Sequence, residues 1–311
     1  MKRRRSALKR AYWKAFRALM RAVNGLGINF ARTRDFYSPL PVIGALERRA
    51  DRWKRPSALT GVEYDLGAMQ ARLVSLLAAH GAEWAALPSY AETKRALYGP
   101  GFTEVDAQIL YLMIKAEKPR RVIEVGSGLS SYYLHLAGGE NAKGGHPLHL
   151  TSIDPFPFAG LDRLPEIEVI RREVQDVDLA KFAELGAGDL LFIDSTHVVK
   201  IDGDVPYLFL EVIPRLAPGV LVHVHDVHFP WNVPYPPDRY VLEPRWPTFW
   251  TEAMLLQAFL AFNRDFEIVL SAPLLRHHDE AFLHATIPGY RPVEADDFDT
   301  HFGSLWMRRR G

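Results

Sequence analysis

The sequence predicts an α/β fold in which a mainly parallel sheet carries helices on both faces. Short β-branched runs alternate with segments of helical composition from residue 121 to residue 226, and this rhythm is typical of a parallel sheet built from βαβ units. Several of the runs also lead directly into acidic residues. Right-handed crossovers bring the carboxyl ends of such strands to one edge, so polar groups are expected to collect where α/β folds bind ligands.

Residues 1–34 are predicted to form a basic amphipathic arm. They contain eleven Lys or Arg and no acidic residue, so the other 27 basic and 37 acidic residues give positions 35–311 a net charge of −10. Apolar residues recur at helical steps of three and four between residues 6 and 24, at Leu8, Tyr12, Phe16, Leu19 and Val23. The expected partners of residues 1–24 are the acidic body of the protein or a second copy of it, and an anionic membrane surface. Nucleic acid is the third candidate partner of such a basic face, and it is not expected here.

Absent residue types and patterns exclude several classes of function. The chain has no cysteine, which excludes disulfides, thiolate metal sites and cysteine nucleophiles. Basic residues interrupt the apolar positions of the arm, so a signal peptide is not expected. The sequence contains no run of about 18 apolar residues that would predict a membrane-spanning helix. We therefore expect a cytoplasmic protein, with peripheral contact at the inner face of the membrane as the alternative.

An irregular and helical extension, residues 35–98, is predicted to precede the main domain, residues 99–311. Its predicted elements are irregular, proline-rich structure over 35–62, helices over 66–80 and 90–97, and a break at 98–101. In the main domain, the first helix is predicted to begin at Thr103, with Asp106 three residues later as in a capping box, and to end at Lys118.

The main domain is predicted to contain seven strands. They cover 121–125, 148–153, 168–170, 189–193, 220–224, 266–271 and 303–309. Helices are predicted over 130–137, 178–185, 204–216 and 250–263. A glycine-rich insertion is expected at Gly138–Gly145, and about thirty irregular residues are expected after Ser271, with His277 and His278 at the surface. The last two strands are expected to form a hairpin-like pair that closes the sheet.

The stretch Arg121–Ser131 organises the whole pattern. Its apolar strand contains Glu124 and runs directly into Gly126 and Gly128. Glycine at such a turn allows positive φ and a close approach of backbone to ligand, and the helix that follows, expected to begin near Ser130, directs its free N–H groups to the same place. Dinucleotide-binding folds begin in a similar way, but their G-x-G-x-x-G fingerprint has glycine at the position of Ser131. An NAD(P)-dependent oxidoreductase therefore stays as the alternative enzyme.

Three motifs taken together resemble one enzyme superfamily. They are Glu124-x-Gly126-x-Gly128, Phe192-Ile193-Asp194-Ser195-Thr196-His197 and Val224-His225-Asp226. In this order they are similar to class I methyltransferases that depend on S-adenosylmethionine (SAM), within the small-molecule O-methyltransferase branch. The resemblance implies a Rossmann-like, seven-stranded, mostly parallel sheet with an antiparallel last strand, and methyl transfer to a hydroxyl of a small molecule or glycan. A non-catalytic scaffold of the same fold, tethered by the basic arm, is the other alternative.

The resemblance also assigns residues to the cofactor. It places the methionine part of SAM against the backbone of Gly126, Ser127 and Gly128, on a loop that Glu124 anchors. Asp154, at the end of the second strand, would bind the ribose hydroxyls, and charge-assisted hydrogen bonds of this kind contribute about 1.5–3 kcal/mol each. Gln175 and Asp176 lie where the superfamily contacts adenine, and Asp194 lies where it contacts the amino group of SAM.

Asp194 and Asp226 end neighbouring strands, and three interpretations of this pair stay open. The carboxylates could bind a divalent cation such as Mg²⁺, form hydrogen bonds to the acceptor hydroxyls and the SAM amino group, or support the structure. Hydroxyl methylation also needs a proton acceptor, for which His225 or His197 is the candidate. His228 is expected at the same edge, and His223 is expected in the core.

The loop Phe229–Pro247 follows the fifth strand and is rich in aromatic residues and proline. In the superfamily this loop borders the acceptor, so its large rings are candidate walls for a ring-shaped or sugar-like substrate: Trp231, Tyr235, Tyr240 and Trp246. The alternative is a proline-stiffened loop that packs on the core. Asn232, in the same loop, is an unconvincing match to the asparagine ligand of metal-dependent relatives.

Overall fold

The computed structural model, which describes residues 2–28, 36–96, 101–164, 166–243 and 247–311, contains a seven-stranded sheet. The strands are β1 Arg121–Val125, β2 His149–Ile153, β3 Ile167–Ile170, β4 Leu190–Ile193, β5 Leu221–His225, β6 Phe266–Ser271 and β7 Ser304–Arg309. Their order is β3-β2-β1-β4-β5-β7-β6. Strands β1 to β5 are parallel, whereas β7 runs antiparallel to both β5 and β6. This confirms the predicted fold class.

Strand register brings the predicted polar residues to one edge. Val125 of β1 pairs with Ile153 of β2 and with Ile193 of β4, and Ile193 pairs with Val224 of β5. The residues that follow these positions therefore end level with one another: Gly126, Asp154, Asp194 and His225. The strand order also reverses between β1 and β4, and α/β sheets bind ligands at such a switch point.

Eleven α-helices accompany the sheet in the described part of the chain. They are α1 Lys2–Asn24, α2 Ile43–Glu47, α3 Ala50–Trp53, α4 Leu66–Ala85, α5 Tyr90–Arg95, α6 Glu104–Glu117, α7 Leu129–Lys143, α8 Leu179–Phe182, α9 Asp204–Tyr207, α10 Glu252–Leu260 and α11 Ala272–Thr286. The chain forms two compact units, Met1–Trp53 and Lys54–Gly311. The proposed three-part division at residues 34 and 98 stays a prediction.

The first unit contains the basic helix that the sequence predicts. In α1, Tyr12 and Leu19, two residues of the predicted apolar face, are each 58% exposed. Among the described helices, none combines the length and apolar composition that a membrane crossing requires. The predicted irregular structure over 35–62 is partly wrong, because α2 and α3 form two short helices there. The predicted break at 98–101 lies mostly outside the described residues.

Two expectations for the second unit are wrong. The glycine-rich segment Gly138–Gly145 is not an inserted loop, because α7 continues through it to Lys143. A Cβ on Gly138 would lie 2.7 Å from Leu148 Cδ2, so the glycine lets the helix approach the chain that enters β2. The thirty residues after Ser271 are not all irregular either, since α11 begins there, with the Ser271 hydroxyl accepting from Leu274 N–H at its amino end.

Candidate active site

The glycine turn after β1 packs directly against the end of β4. Gly126 has φ +86°, and a Cβ at this position would lie 1.8 Å from the backbone oxygen of Asp194. Its N–H donates to the Ile153 carbonyl at 3.0 Å. Any side chain at position 126 would therefore move the turn away from the neighbouring strands. This is the close backbone approach that the motif predicts.

Asp154 braces the same turn from the end of β2. Its Oδ2 accepts from the N–H and the hydroxyl of Ser127, at 2.8 and 2.6 Å. Its Oδ1 accepts from Phe156 N–H at 2.7 Å. Asp154 is only partly buried. A ligand beside the glycine turn could therefore reach its carboxylate. The predicted residues Gly126, Ser127 and Asp154 are thus brought together.

Glu124 anchors the turn from below, as the resemblance implies. Its side chain is fully buried and accepts from the hydroxyls of Ser130 and Ser131, at 2.8 and 2.6 Å. Ser131 Oγ also accepts from Gly128 N–H at 3.2 Å. Glycine at position 131, as in the dinucleotide fingerprint, would lack these contacts. Burial raises the pKa of Glu124 to about 7 even though the serine hydrogen bonds lower it.

A Glu124→Gln variant should therefore become more stable relative to the natural chain as pH rises. The folded-state pKa lies above the unfolded value of 4.5, so ionisation of Glu124 costs nothing well below pH 4.5 and the full penalty above pH 7. Glutamine removes that penalty. We expect the difference in unfolding free energy to shift in favour of the variant by about 2 kcal/mol between pH 5 and pH 8, at about 1.4 kcal/mol per pKa unit.

Chemical denaturation at the two pH values measures this shift. Glu184→Gln, at an exposed position, is the matched control and should show no comparable change. A Glu124→Gln variant whose stability difference stays constant across this range would contradict the buried, proton-binding carboxyl.

The residues predicted to contact adenine lie after β3. Gln175 and Asp176 belong to a 3₁₀ turn over Val174–Asp176. Gln175 Nε2 donates to Glu173 Oε2 at 2.6 Å and to the Asp202 carbonyl at 3.2 Å, whereas Asp176 is exposed. They stand next along the sheet from Asp154, because β3 pairs with β2. Their adenine contact stays a prediction.

The ends of β4 and β5 carry an acid–imidazole cluster, formed by Asp194, His197, His225 and Asp226 together with Asp106 and Glu252. His197 is 6% exposed. Its Nε2 lies 3.4 Å from Asp194 Oδ1 and 3.3 Å from Asp226 Oδ2. Its Nδ1 lies 2.8 Å from Glu252 Oε2. Nε2 of the imidazole thus lies near two carboxylates that follow β4 and β5, and Nδ1 contacts a third carboxylate at the start of α10.

His225 repeats this arrangement from the end of β5. It is 1% exposed, and its Nδ1 lies 3.3 Å from Asp194 Oδ1 and 3.7 Å from Asp226 Oδ2. Its Nε2 lies 3.4 Å from Asp106 Oδ2. Asp106 is itself held by hydrogen bonds from Thr103 Oγ1 and from β7 and the residue before it. The three predicted catalytic residues, His197, His225 and Asp226, are therefore neighbours.

Local backbone geometry and one helix end orient the cluster. His197 and Asp226 both adopt positive φ, +60° and +54°, conformations uncommon for residues other than glycine. The carbonyl of His197 accepts from the N–H groups of Thr251 and Glu252, at 2.9 and 3.1 Å. The amino end of α10 is thereby fixed to the loop after β4, and Glu252 is directed at His197.

The charges of the cluster oppose the effect of burial. Burial lowers the pKa of His197, but its hydrogen bonds to Asp194 and Glu252 outweigh this and raise the value to about 10. For His225 the negative charges of Asp194 and Asp226 likewise outweigh burial and raise the pKa well above 6.5. The pKa of Asp194 is lowered by the two imidazoles despite its burial, whereas burial raises that of Asp226. Both imidazoles are therefore protonated at neutral pH in this state, and neither can accept a proton.

Two other histidines at this end of the sheet are structural. His223 stacks on Phe192 with ring centroids 4.2 Å apart, and burial lowers its pKa to about 3, as expected of a core residue. The ring nitrogens of His228, predicted at the same edge, lie 3.1 and 3.3 Å from the carbonyls of Asp226 and His301, and one of them donates. Burial lowers its pKa to about 3 as well. It is not part of the cluster.

A cavity of about 290 Å³ lies beside the cluster and reaches His225 and Asp226. Five aromatic residues line it, Tyr90, Phe102, Tyr240, Trp250 and Phe298, together with the charged residues Lys94 and Asp299. The rings of Tyr240 and Trp250 lie 5.7 Å apart, and Trp250 also contacts the ring of His197 at 4.5 Å. The cavity therefore has aromatic and charged walls, and His225 and Asp226 of the acid–imidazole cluster form part of them.

The aromatic loop after β5 contributes less to this chamber than the sequence predicts. Of its four candidate walls, Tyr240 lines the cavity and Trp246 lies outside the described residues. Trp231 and Tyr235 pack against each other, 4.4 Å between ring centroids. Asn232 donates to Gln257 Oε1 at 2.8 Å, away from the cluster. Tyr240 thus fits the predicted acceptor wall, whereas Trp231 and Tyr235 fit the alternative of a loop that packs on the protein.

Sequence reasoning missed Asp106, Trp250 and Glu252. The sequence predicts Asp106 only as part of a helix start, and Thr103 Oγ1 does accept from its N–H at 3.2 Å. The sequence predicts Trp250 and Glu252 only as the first turn of a helix. The helix of residues 104–117 also contains Glu104, Lys115 and Glu117, so the sequence offers no signal that distinguishes Asp106. It offers none for Glu252 either.

Comparisons with known proteins identify one matching family and several solved structures. Residues 123–227 match the family described as methyltransferase domain, and no curated protein matches the chain. Solved structures with a similar fold include the O-methyltransferase TomG of Streptomyces achromogenes in complex with SAM, at 16% identity over 80% of this chain and 92% of that chain, with a TM-score of 0.43. Another is an O-methyltransferase of Bacillus cereus in complex with S-adenosylhomocysteine (SAH), at 12% identity over 86% and 97% of the two chains, with a TM-score of 0.40. The family match begins in β1 and ends one residue after Asp226, so it contains both the glycine turn and the ends of β4 and β5. This segment, from β1 to the end of β5, is the part of the chain that is similar to a methyltransferase domain.

Proposed function

We propose that the protein transfers the methyl group of SAM to a hydroxyl of a small-molecule or glycan acceptor bound in the aromatic cavity. The observation that carries this proposal is the position of the cavity. It ends at His225 and Asp226, and register places these residues level with the glycine turn. A donor at the turn and an acceptor in the cavity would therefore meet at the acid–imidazole cluster.

The residues at the turn fit SAM. The backbone of Gly126, Ser127 and Gly128 would hold its methionine part, and Asp154 would exchange its bonds to Ser127 for the ribose hydroxyls. Gln175 and Asp176 would contact adenine, and Asp194 the amino group. When bound, SAM supplies an electrophilic methyl group on sulfur. That methyl group would pass to the acceptor oxygen with release of SAH, and the hydroxyl proton would have to pass to another group.

The residues of the cavity would position the acceptor. Tyr240 and Trp250 offer ring faces against which a planar or ring-shaped acceptor can pack, and the Asp226 carboxylate can accept a hydrogen bond from its hydroxyl. A histidine base, His225 or His197, requires a neutral imidazole. That condition is met only when positive charge offsets the surrounding carboxylates, whose proximity raises the pKa of both histidines.

Calorimetric titration tests the donor. We expect the purified chain to bind SAM and SAH with micromolar affinity and one site, because the turn and Asp154 are already arranged for them. NADH is the matched control for the alternative oxidoreductase, and it should not bind. Binding of NADH in the absence of SAM and SAH binding would overturn the proposal.

The partner of the basic arm is a separate proposal. We infer that α1 contacts either an anionic membrane surface or a second copy of the chain. Its nine Lys or Arg up to residue 24, with no acidic residue, and its exposed Tyr12, Trp13 and Leu19 suit both. Co-sedimentation with anionic vesicles, compared with sedimentation of the chain alone, distinguishes these two partners.

A further inference from the structure

We propose that Tyr240 and His301 form the proton-accepting pair of the methyl transfer. Tyr240 Oη would take the proton of the acceptor hydroxyl and pass its own proton to His301 Nδ1. Both residues line the aromatic cavity, together with His225 and Asp226. This inference deepens the proposed function and rests on it, because it names the group that receives the hydroxyl proton.

Two hydrogen bonds decide where His301 carries its proton. Its Nε2 lies 2.7 Å from the Glu294 carbonyl oxygen, which can only accept, so Nε2 donates. Its Nδ1 lies 3.1 Å from Tyr240 Oη. A neutral imidazole has one N–H, so Nδ1 of neutral His301 carries a lone pair and the Tyr240 hydroxyl donates to it. A proton-accepting nitrogen is thus connected to the cavity through the phenol oxygen.

His301 is neutral at neutral pH, unlike the two histidines of the acid–imidazole cluster. Its side chain is 2% exposed, and burial lowers its pKa below the ordinary value of 6.5. The Glu294 carbonyl and the charge of Asp297 raise this pKa, whereas the charges of Arg276 and Arg239 lower it. Because burial outweighs the groups that raise the pKa, Nδ1 can accept a proton under conditions in which the cluster cannot.

Tyr240 carries the proton but is not itself the base. Burial raises the pKa of its phenol, and the charges of Asp226 and Asp106 raise it further, so the hydroxyl is protonated at neutral pH. It can give its proton to His301 only as it receives another. The acceptor's oxygen–hydrogen bond would break, a new Oη–H bond would form, and the original phenol proton would bind Nδ1. His301 would end as an imidazolium, which balances the positive charge lost when SAM becomes SAH.

The segment before β7 holds the pair in place. Thr300 Oγ1 accepts from Glu294 N–H at 2.9 Å and donates to the Asp297 carbonyl at 2.7 Å. These bonds close the segment into a compact loop that directs the Glu294 carbonyl at His301. The ring centroids of Tyr240 and His301 lie 5.6 Å apart. The pair is therefore already formed before an acceptor binds.

Nitrogen NMR of the full chain, with labelled histidines, tests the pair without any acceptor. We expect His301, assigned by the signals that His301→Gln removes, to be neutral at pH 7 with its proton on Nε2, and to titrate below pH 6.5. Tyr240→Phe keeps the ring but removes the hydroxyl, so it should shift the Nδ1 signal of His301. An imidazolium at pH 7, or a proton on Nδ1 of the neutral ring, would overturn the proposal.

The same two variants test the reaction, measured as SAH release with a panel of phenols and sugars. Glutamine at position 301 can still donate to the Glu294 carbonyl but has no basic nitrogen. We expect kcat/KM to fall about 100- to 10,000-fold in each variant, and no further in the double variant, because the two residues act as a unit. Losses that add in the double variant would contradict the pair.

The pH profile distinguishes a proton acceptor from a structural role. In the natural chain, kcat/KM should rise from pH 5 and become constant by pH 7, because the pKa of His301 lies below 6.5. In His301→Gln it should rise throughout pH 5 to 8, since hydroxide replaces the base. A purely structural role would lower the activity and leave the shape of the profile unchanged, which would also overturn the proposal.

His278→Gln and Tyr64→Phe are the matched controls. Tyr64 Oη lies 3.2 Å from His278 Nε2, so these residues form a second tyrosine–histidine pair, and neither lines the cavity. Both variants should keep the natural kcat/KM. Calorimetric SAM titration of every sample separates the possible failures. If Tyr240→Phe and His301→Gln bind SAM and keep full activity, the pair is wrong and the proposed function stands, whereas a natural chain that does not bind SAM overturns the proposed function.

Discussion

Replacing Gly126 with alanine is expected to abolish SAM binding. A Cβ at this position would lie 1.8 Å from the backbone oxygen of Asp194, and the residue has φ +86°, a conformation that alanine adopts only with strain. The obstacle is backbone, so it cannot move aside as a flexible side chain could. The turn would have to separate from the end of β4, and the N–H groups of Ser127 and Gly128 would leave their positions. We expect SAM affinity to fall at least 100-fold and the thermal midpoint to fall as well.

Gly139→Ala is the matched control for this variant. Gly139 lies on the exposed side of α7, and no atom would be within 4 Å of its Cβ. Alanine there should raise stability by up to about 1 kcal/mol, because it favours the helix more than glycine does. Calorimetric titration with SAM and thermal unfolding of both variants give the comparison. Unchanged SAM affinity in a folded Gly126→Ala variant would mean that the cofactor does not use this turn.

The sheet could be predicted because its signals are local. Each parallel strand is a short apolar run, and β4 and β5 are buried along their whole length. A strand of a parallel sheet that is covered on both faces must be apolar along its length. The residues after the strands could be predicted for the same reason, since Gly126, Asp154, Asp194 and Asp226 directly follow the runs in sequence. The topology rules then place them at one edge without any knowledge of distant contacts.

The parts that could not be predicted depend on distant contacts. Glu252 meets a histidine 55 positions earlier, and Asp106 meets one 119 positions later. Nothing in their own neighbourhoods distinguishes them from ordinary acidic residues near a helix start. Helix α11 was missed for a related reason. Its polar run from Arg276 to Glu280 suggests a loop, but Arg276 is buried, with Tyr235 and Phe302 each 4.7 Å from its guanidinium carbon.

The protonation of the cluster also depends on the complete fold. From sequence alone, His225 and His197 are plausible bases because an isolated imidazole titrates near neutral pH. In the structure the carboxylates around His197 raise its pKa to about 10, which makes it a cation at neutral pH. A general base must be a neutral imidazole. Either histidine could therefore act as the base only if another positive charge in the cluster lowered its pKa. The sequence identifies the titratable groups, but their protonation depends on the neighbours that folding brings close to them.

An Asp226→Asn variant is expected to lose methyl transfer while it keeps SAM binding. Asparagine has the same shape and tolerates the positive φ of +54° at this position, so the loop should keep its conformation. The variant removes the charge that faces His197 Nε2 at 3.3 Å and lines the acceptor cavity. We expect kcat/KM to fall at least 100-fold, which corresponds to about 3 kcal/mol of transition-state stabilisation, and the SAM dissociation constant to change less than threefold.

Asp265→Asn, at an exposed position, is the control and should leave both quantities unchanged. Because the acceptor is unidentified, slow transfer to water or to a panel of phenols and sugars, measured as SAH release, provides the assay. Equal SAH release by the natural chain and Asp226→Asn would place the acceptor hydroxyl away from the ends of β4 and β5. It would also contradict the proposed role of the cluster.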